Sequence, residues 1–166
     1  MGATLRMIFL CAFFVAIISL QVNLEAKSTA SRYLKNSLEI ATHDGGLGVY
    51  EDKLANGIID FNEVQSEGYI LDSLRYHLNM TQGTTRYQLM PTDDSFFQEP
   101  IEIKFIDFLD DSLYTFPTSY TNVAYGIDIP ILDPSIVVLI EGKAPTLLGS
   151  TSNTMVSRLV IYEYKK

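Results

Sequence analysis

The chain has 166 residues, enough for one domain, with 47% hydrophobic and 19% charged residues and a formal net charge of −8. Beyond residue 27 acidic residues outnumber basic ones about two to one, and no Lys/Arg cluster interleaves with aromatics, which argues against nucleic acid as a partner. The single cysteine, Cys11, lies in an apolar N-terminal run, so the remainder can build no disulfide framework, thiolate nucleophile or cysteine-based zinc site.

The first element is that run. Residues 7–20 carry no charge. With Leu5 and the stretch to Leu24 the segment approaches the ~20 residues a helix needs to cross a bilayer, interrupted by Arg6, Gln21 and Asn23. Leu5, Ile8, Phe9, Leu10, Phe13, Phe14, Val15, Ile17, Ile18 and Leu20 are its anchor residues. Arg6 and the terminal amine precede it, which predicts a cytoplasmic N-terminus and an extracytoplasmic remainder. The division expected is an anchor over 1–27 and an α+β domain over 28–166. The competing reading is a cleaved signal peptide, which would release a secreted protein. Ser28-Thr29-Ala30 has the right small residues for cleavage but lies far beyond Leu20, and Leu24-Glu25-Ala26 is poor at its first small position.

Helical spacing resumes at once. Leu34, Leu38 and Ala41 follow at i, i+4 and i+7, flanked by Tyr33 and Ile40, and no Gly or Pro separates Leu5 from His43. One helix is therefore expected to run from the membrane into the domain. Gly45, Gly46 and Gly48 should stop it by supplying left-handed conformations. Ala55-Asn56-Gly57 reads as a turn and Ile58 to Phe61 as a short strand. Asn62 or Asp60 then caps a second, amphipathic helix, with Asn62 to Gln65 in capping-box form and Val64, Leu71, Leu74 and Leu78 along one stripe.

Residues 81–100 are polar and turn-rich. The period then switches to two: Ile101 to Phe108 is a strand, Asp110-Asp111-Ser112 a turn, and Leu113 to Phe116 and Thr121 to Ile129 weaker strands about Pro117. Ile136 to Ile140 is dense enough for a central strand. Pro145 to Asn153 is a loop containing Gly149. Met155 to Tyr164 alternates, with Val156, Val160 and Tyr162 opposite Leu159 and Ile161. The fold class expected is α+β with an antiparallel sheet.

Candidate chemistry is thin. His43 beside Asp44 could orient an imidazole, but no Gly-x-Ser-x-Gly turn accompanies it, and a histidine at a helix C-terminus serves the free carbonyls equally well. His77 has no partner at ligand spacing. The glycine run lacks the strand before it and the Lys-Ser/Thr after it that a phosphate cradle needs. Asp93-Asp94 and Asp110-Asp111 lack calcium-loop spacing and read as turns. Asn79-Met80-Thr81 matches a glycosylation sequon. No enzyme activity and no cofactor are expected. Tyr114, Phe116, Tyr120 and Tyr125 cluster across a loop region and suit either inter-strand packing or a partner-contact surface.

An apolar N-terminal helix running into a small sheet resembles the type IV pilin-like proteins, including minor pilins and pilus-assembly relatives. Leu34-Lys35-Asn36-Ser37-Leu38-Glu39-Ile40-Ala41-Thr42-His43-Asp44 is similar to the post-membrane helix of Tad-type pseudopilins and of single-pass surface proteins of Gram-positive bacteria. That resemblance implies a structural or assembly role through contacts with other surface or pilus-assembly proteins. Pilin precursors place a glutamate five residues after a processing glycine; Gly2 is present here, but the fifth position after it is Met7. The alternative reading is a secreted or anchored binding module for a protein or cell-wall ligand.

Overall fold

A computed structural model describes residues 2–148 and 154–165. Its first element, α1 (Gly2–Gly45), is one uninterrupted helix of 44 residues, about 66 Å long at 1.5 Å per residue. Ala26, Ala30, Leu34, Ser37, Leu38, Ala41, Thr42 and Gly45 form its buried stripe, spaced by three or four residues. Leu34, Leu38 and Ala41 are core residues, as their spacing predicts.

The glycines that follow do not work as predicted. None of Gly45, Gly46 and Gly48 has a positive φ. They are small because other chain elements lie against them. A Cβ on Gly45 would fall 2.5 Å from Ile70 Cγ1, one on Gly46 2.3 Å from the Tyr162 ring, and one on Gly48 2.4 Å from Ser66 Oγ. Ser66 Oγ donates to the Gly48 carbonyl across this approach. The positive φ in this region belongs to Gly57, in the predicted turn after a short helix α2 (Glu51–Leu54).

The second long helix, α3 (Glu63–Leu78), starts at Asn62, whose side chain accepts from the Gln65 N–H, and ends at Asn79 in a left-handed cap with φ 51°. It buries Ser66, Ile70, Leu71, Leu74 and Leu78. Val64, expected on that stripe, is 74% exposed. Its partner helix runs out first: Gly45 meets Ile70 and Gly48 meets Ser66, and among the described residues nothing covers the Val64 side chain. Ile58 to Phe61 is not a strand. It makes one bridge, Val49 to Phe61, and Ile59 exchanges bonds with Asp111, its carbonyl accepting from the Asp111 N–H and its N–H donating to Oδ2.

The main sheet is antiparallel with five strands: β1 (Met80–Gln82), β2 (Gln88–Pro91), β3 (Ile101–Leu109), β6 (Ser135–Lys143) and β7 (Met155–Glu163), adjacent in that order. β1 and β2 lie where only turns were expected. β6 sits between β3 and β7, as its unbroken apolar run predicts. In β3 the pairing slips between Ile103 and Phe105, so Lys104 is a bulge residue. The slip explains the phase change in the sequence: Ile101 and Ile103 face the main core before it, and Ile106 and Phe108 after it. β4 (Thr118–Asn122) and β5 (Ile127–Ile131) form a separate hairpin through a 3-10 turn that ends at Gly126, φ 64°. The expected strand at Leu113 to Phe116 is instead turn and irregular chain, and the expected strand Thr121 to Ile129 is the hairpin's two arms and its turn.

The domain is three layers. The C-terminal half of α1, with α3, packs on one face of the sheet around Leu34, Leu38, Ile70, Leu74, Ile136, Val138 and Ile140. The hairpin covers the other face, where Leu109, Ile131 and Val137 are buried beneath Phe105, Phe116, Tyr120, Ile129, Leu159 and Ile161. Alternation along β7 serves both layers, Val156 and Val160 inward and Leu159 and Ile161 outward.

Candidate functional site

The N-terminal half of α1 leaves the domain, and among the described residues none of its side chains is buried. By length and composition this helix can cross a membrane: its apolar window has mean hydropathy 2.3 and is 0% buried. Leu5, Ile8, Phe9, Leu10, Phe13, Phe14, Val15, Ile18 and Leu20 are all exposed, and Ile17 is half-buried. These residues point in every direction round the helix rather than along one stripe. A continuous apolar surface of this extent marks a site for lipid or for a partner. The first buried residue is Ala26. The helix runs through this boundary unbroken, so any tilt of the projecting half is transmitted directly to the domain.

The four aromatics divide. Phe116 and Tyr120 pack on the outer face of the sheet with Phe105, whose ring centroid is 6.4 Å from that of Tyr120 and 5.3 Å from that of Tyr125. The Tyr120 hydroxyl donates to the Asp107 carboxylate and accepts from Asn122 Nδ2 at 3.3 Å. Burial, and then the hydrogen bond to Asp107, push the phenol up to about 12. Tyr114 and Tyr125 remain exposed, beside the exposed Leu113 and Val123. Phe105, which holds the group together, is legible in the sequence only as the residue that breaks the alternation of β3.

Among the described residues neither histidine hydrogen-bonds a serine or threonine hydroxyl through its ring. Ser73 Oγ donates to Asp44 Oδ2 at 2.6 Å, and His43 Nδ1 lies 3.7 Å from Asp44 Oδ1. The carboxylate stands between hydroxyl and imidazole, whereas a general base must reach the hydroxyl itself. His43 also sits edge-on to Tyr162, at the helix end where its sequence position places it. The carbonyl of His77 accepts from the Tyr33 hydroxyl, and its ring lines a shallow cleft with Asp44, Leu47, Tyr69, Asp72, Ser73 and Tyr76. Asp110 Oδ1 accepts from the N–H groups of Ser112 and Leu113, the turn role expected of that pair. Among the described residues no group of three or more His, Cys, Asp or Glu is placed to hold a metal ion.

A polar residue read in the sequence as an interruption is the one that sequence reasoning missed. Asn23, on the last exposed turns of α1, bonds the backbone of Leu147 and Leu148. Comparison of the chain with known protein families, with characterised proteins and with solved structures finds no match in any of the three.

Proposed function

We propose that this is a membrane-anchored extracytoplasmic protein with a structural or assembly role, pilin-like in layout, acting through protein contacts and not through catalysis. The observation that carries the reading is the two-part use of α1. Its C-terminal half buries a stripe against α3 and the sheet, while residues 7–18 of its N-terminal half offer only apolar side chains to the surroundings. A bilayer of ~30 Å hydrocarbon thickness matches the run from Leu5 to Leu24. Ala12 and Ala16, one turn apart on that run, would let neighbouring helices approach closely.

Retention of the anchor is supported by the position of the best cleavage sequence. Ser28-Thr29-Ala30 lies inside the helix, and Ala26 and Ala30 belong to the buried stripe. Removal of the chain to Ala30 would strip part of that stripe. Arg6 favours a cytoplasmic N-terminus. Lys27, Arg32 and Lys35 lie on the other flank, so the orientation calls for a direct measurement.

Mass spectrometry of membranes washed with alkaline carbonate tests anchoring. The full chain, including the Cys11 peptide, should stay in the pellet, and mild oxidation should give dimers through Cys11 or through Phe13→Cys or Phe14→Cys placed round the same turn. A soluble product beginning after Ala30 would contradict the anchor. A retained chain that gives no dimers at any of the three positions would favour the second reading, an anchored binding module. The exposed Val123 and Tyr125 in the hairpin turn, and Leu113 and Tyr114 in the chain after β3, support that reading.

A further inference from the structure

Beyond β6 the chain turns back toward α1. Ala144 is buried and its N–H donates to the Thr154 carbonyl, and Pro145 and Thr146 then lead to Leu147 and Leu148. At that point Asn23 meets the backbone. Its Oδ1 accepts from the N–H groups of Leu147 and Leu148, both at 3.1 Å, and its Nδ2 donates to the Leu148 carbonyl at 2.6 Å. A cleft of ≈220 Å³ lies alongside, lined by Leu20, Asn23, Leu24, Lys27 and residues 144–146 with Thr154. The two leucines are 54% and 43% exposed, next to Leu20 and Leu24, which are also exposed.

We propose that Leu147 and Leu148 form a second membrane contact, seated beside α1 by Asn23 and lying at the headgroup–acyl boundary of the bilayer that α1 crosses. The inference rests on the reading of α1 as a membrane helix and adds a second point of attachment to it. Three observations favour lipid as the occupant. Asn23 is about 4.5 Å along the helix axis from Leu20, so the leucines stand level with the end of the apolar run. They also lie beside Leu20 and Leu24, exposed apolar residues of that run on either side of Asn23. The groups that join loop and helix are paired: the Asn23 amide satisfies the Leu147 and Leu148 N–H groups and the Leu148 carbonyl. That pairing is what a low-dielectric boundary requires, and water would not demand it. Lys27, lining the same cleft, is placed to reach anionic headgroups. Such a contact would set the height and tilt of the domain above the lipid, which one helix alone leaves free to rotate.

The chain has no tryptophan, so a single introduced one reports its own surroundings. Full-length Leu148→Trp, Phe14→Trp and Leu113→Trp are reconstituted separately into phosphatidylcholine–phosphatidylglycerol vesicles, with and without lipids brominated on the acyl chains near the glycerol. Leu148→Trp should emit to the blue of Leu113→Trp and be quenched severalfold more by the brominated lipid, independently of the protein-to-lipid ratio. Adding Asn23→Leu should remove that quenching while leaving Phe14→Trp quenched. If Phe14→Trp is quenched and Leu148→Trp behaves like Leu113→Trp, the second contact is wrong and the membrane helix stands. If Phe14→Trp is itself unquenched by lipid brominated at any depth, the membrane helix fails first. Blue emission at Leu148→Trp without lipid quenching would assign the patch to another copy of the chain and overturn the proposal, as would quenching that survives Asn23→Leu for the seating role.

Discussion

At Tyr120 burial, and then the hydrogen bond that its hydroxyl donates to the Asp107 carboxylate beneath the hairpin, hold the phenol neutral up to about 12, against an ordinary value of 10. A folded-state value above the unfolded one gives stability that is complete below pH 10 and is lost as pH rises through 10 toward 12. Denaturant midpoints measured across that window should fall more steeply for the wild type than for Tyr120→Phe, which should be the less stable of the two at neutral pH. The glycine run offers a second test. Gly48→Ala would place a methyl 2.7 Å from the backbone N of Ser66, and neither backbone can retreat without disturbing the start of α3. We expect a loss of about 1–3 kcal/mol, as for other overpacked sites. Gly68→Ala, with nothing within 4 Å of its Cβ in mid-helix, should instead gain about 0.5–1 kcal/mol. Thermal melts of the two variants should move in opposite directions.

Among the elements, α1 is amphipathic only where the domain covers it. Leu38 is fully buried and Ile40, two residues on, is 43% exposed. Leu38→Ala should therefore cost about 2–5 kcal/mol through the lost contacts and residual cavity, while Ile40→Ala should cost well under half of that, judged by denaturant titration of the full chain in detergent. The elements legible in the sequence were those long enough to repeat their own period: α1, α3, β3, β6 and β7. The phase change inside β3 was visible in Ile101, Ile103, Ile106 and Phe108, but its cause, a bulge at Lys104, depends on the pairing with β6. The short strands were not legible. β1 and β2 have three and four residues, too few to show alternation, and exist because β3 offers an edge for β2 to join and β2 in turn an edge for β1. Val64 sat on the predicted stripe and emerged exposed because stripe periodicity cannot tell where a partner helix stops. The projecting surface was readable from composition alone. The bonds from Asn23 to residues 147 and 148 were not, since they join positions more than 120 apart in the chain.

For the whole molecule the central division is between an acidic three-layer domain and an apolar helix that shares one continuous backbone with it. Net negative charge keeps the domain in water and disfavours its contact with anionic surfaces. The projecting half of α1 has the opposite preference, and in the proposed reading the one unbroken helix would join the two environments. Labelling of thiols with a membrane-impermeant maleimide on intact cells tests this division most directly, comparing native Cys11 in the wild type with Leu113→Cys in a Cys11→Ser background. Leu113→Cys should be modified on intact cells as fully as after lysis, while Cys11 should stay unmodified until detergent dissolves the membrane. Modification of Leu113→Cys only after lysis, or of Cys11 without detergent, would contradict that division.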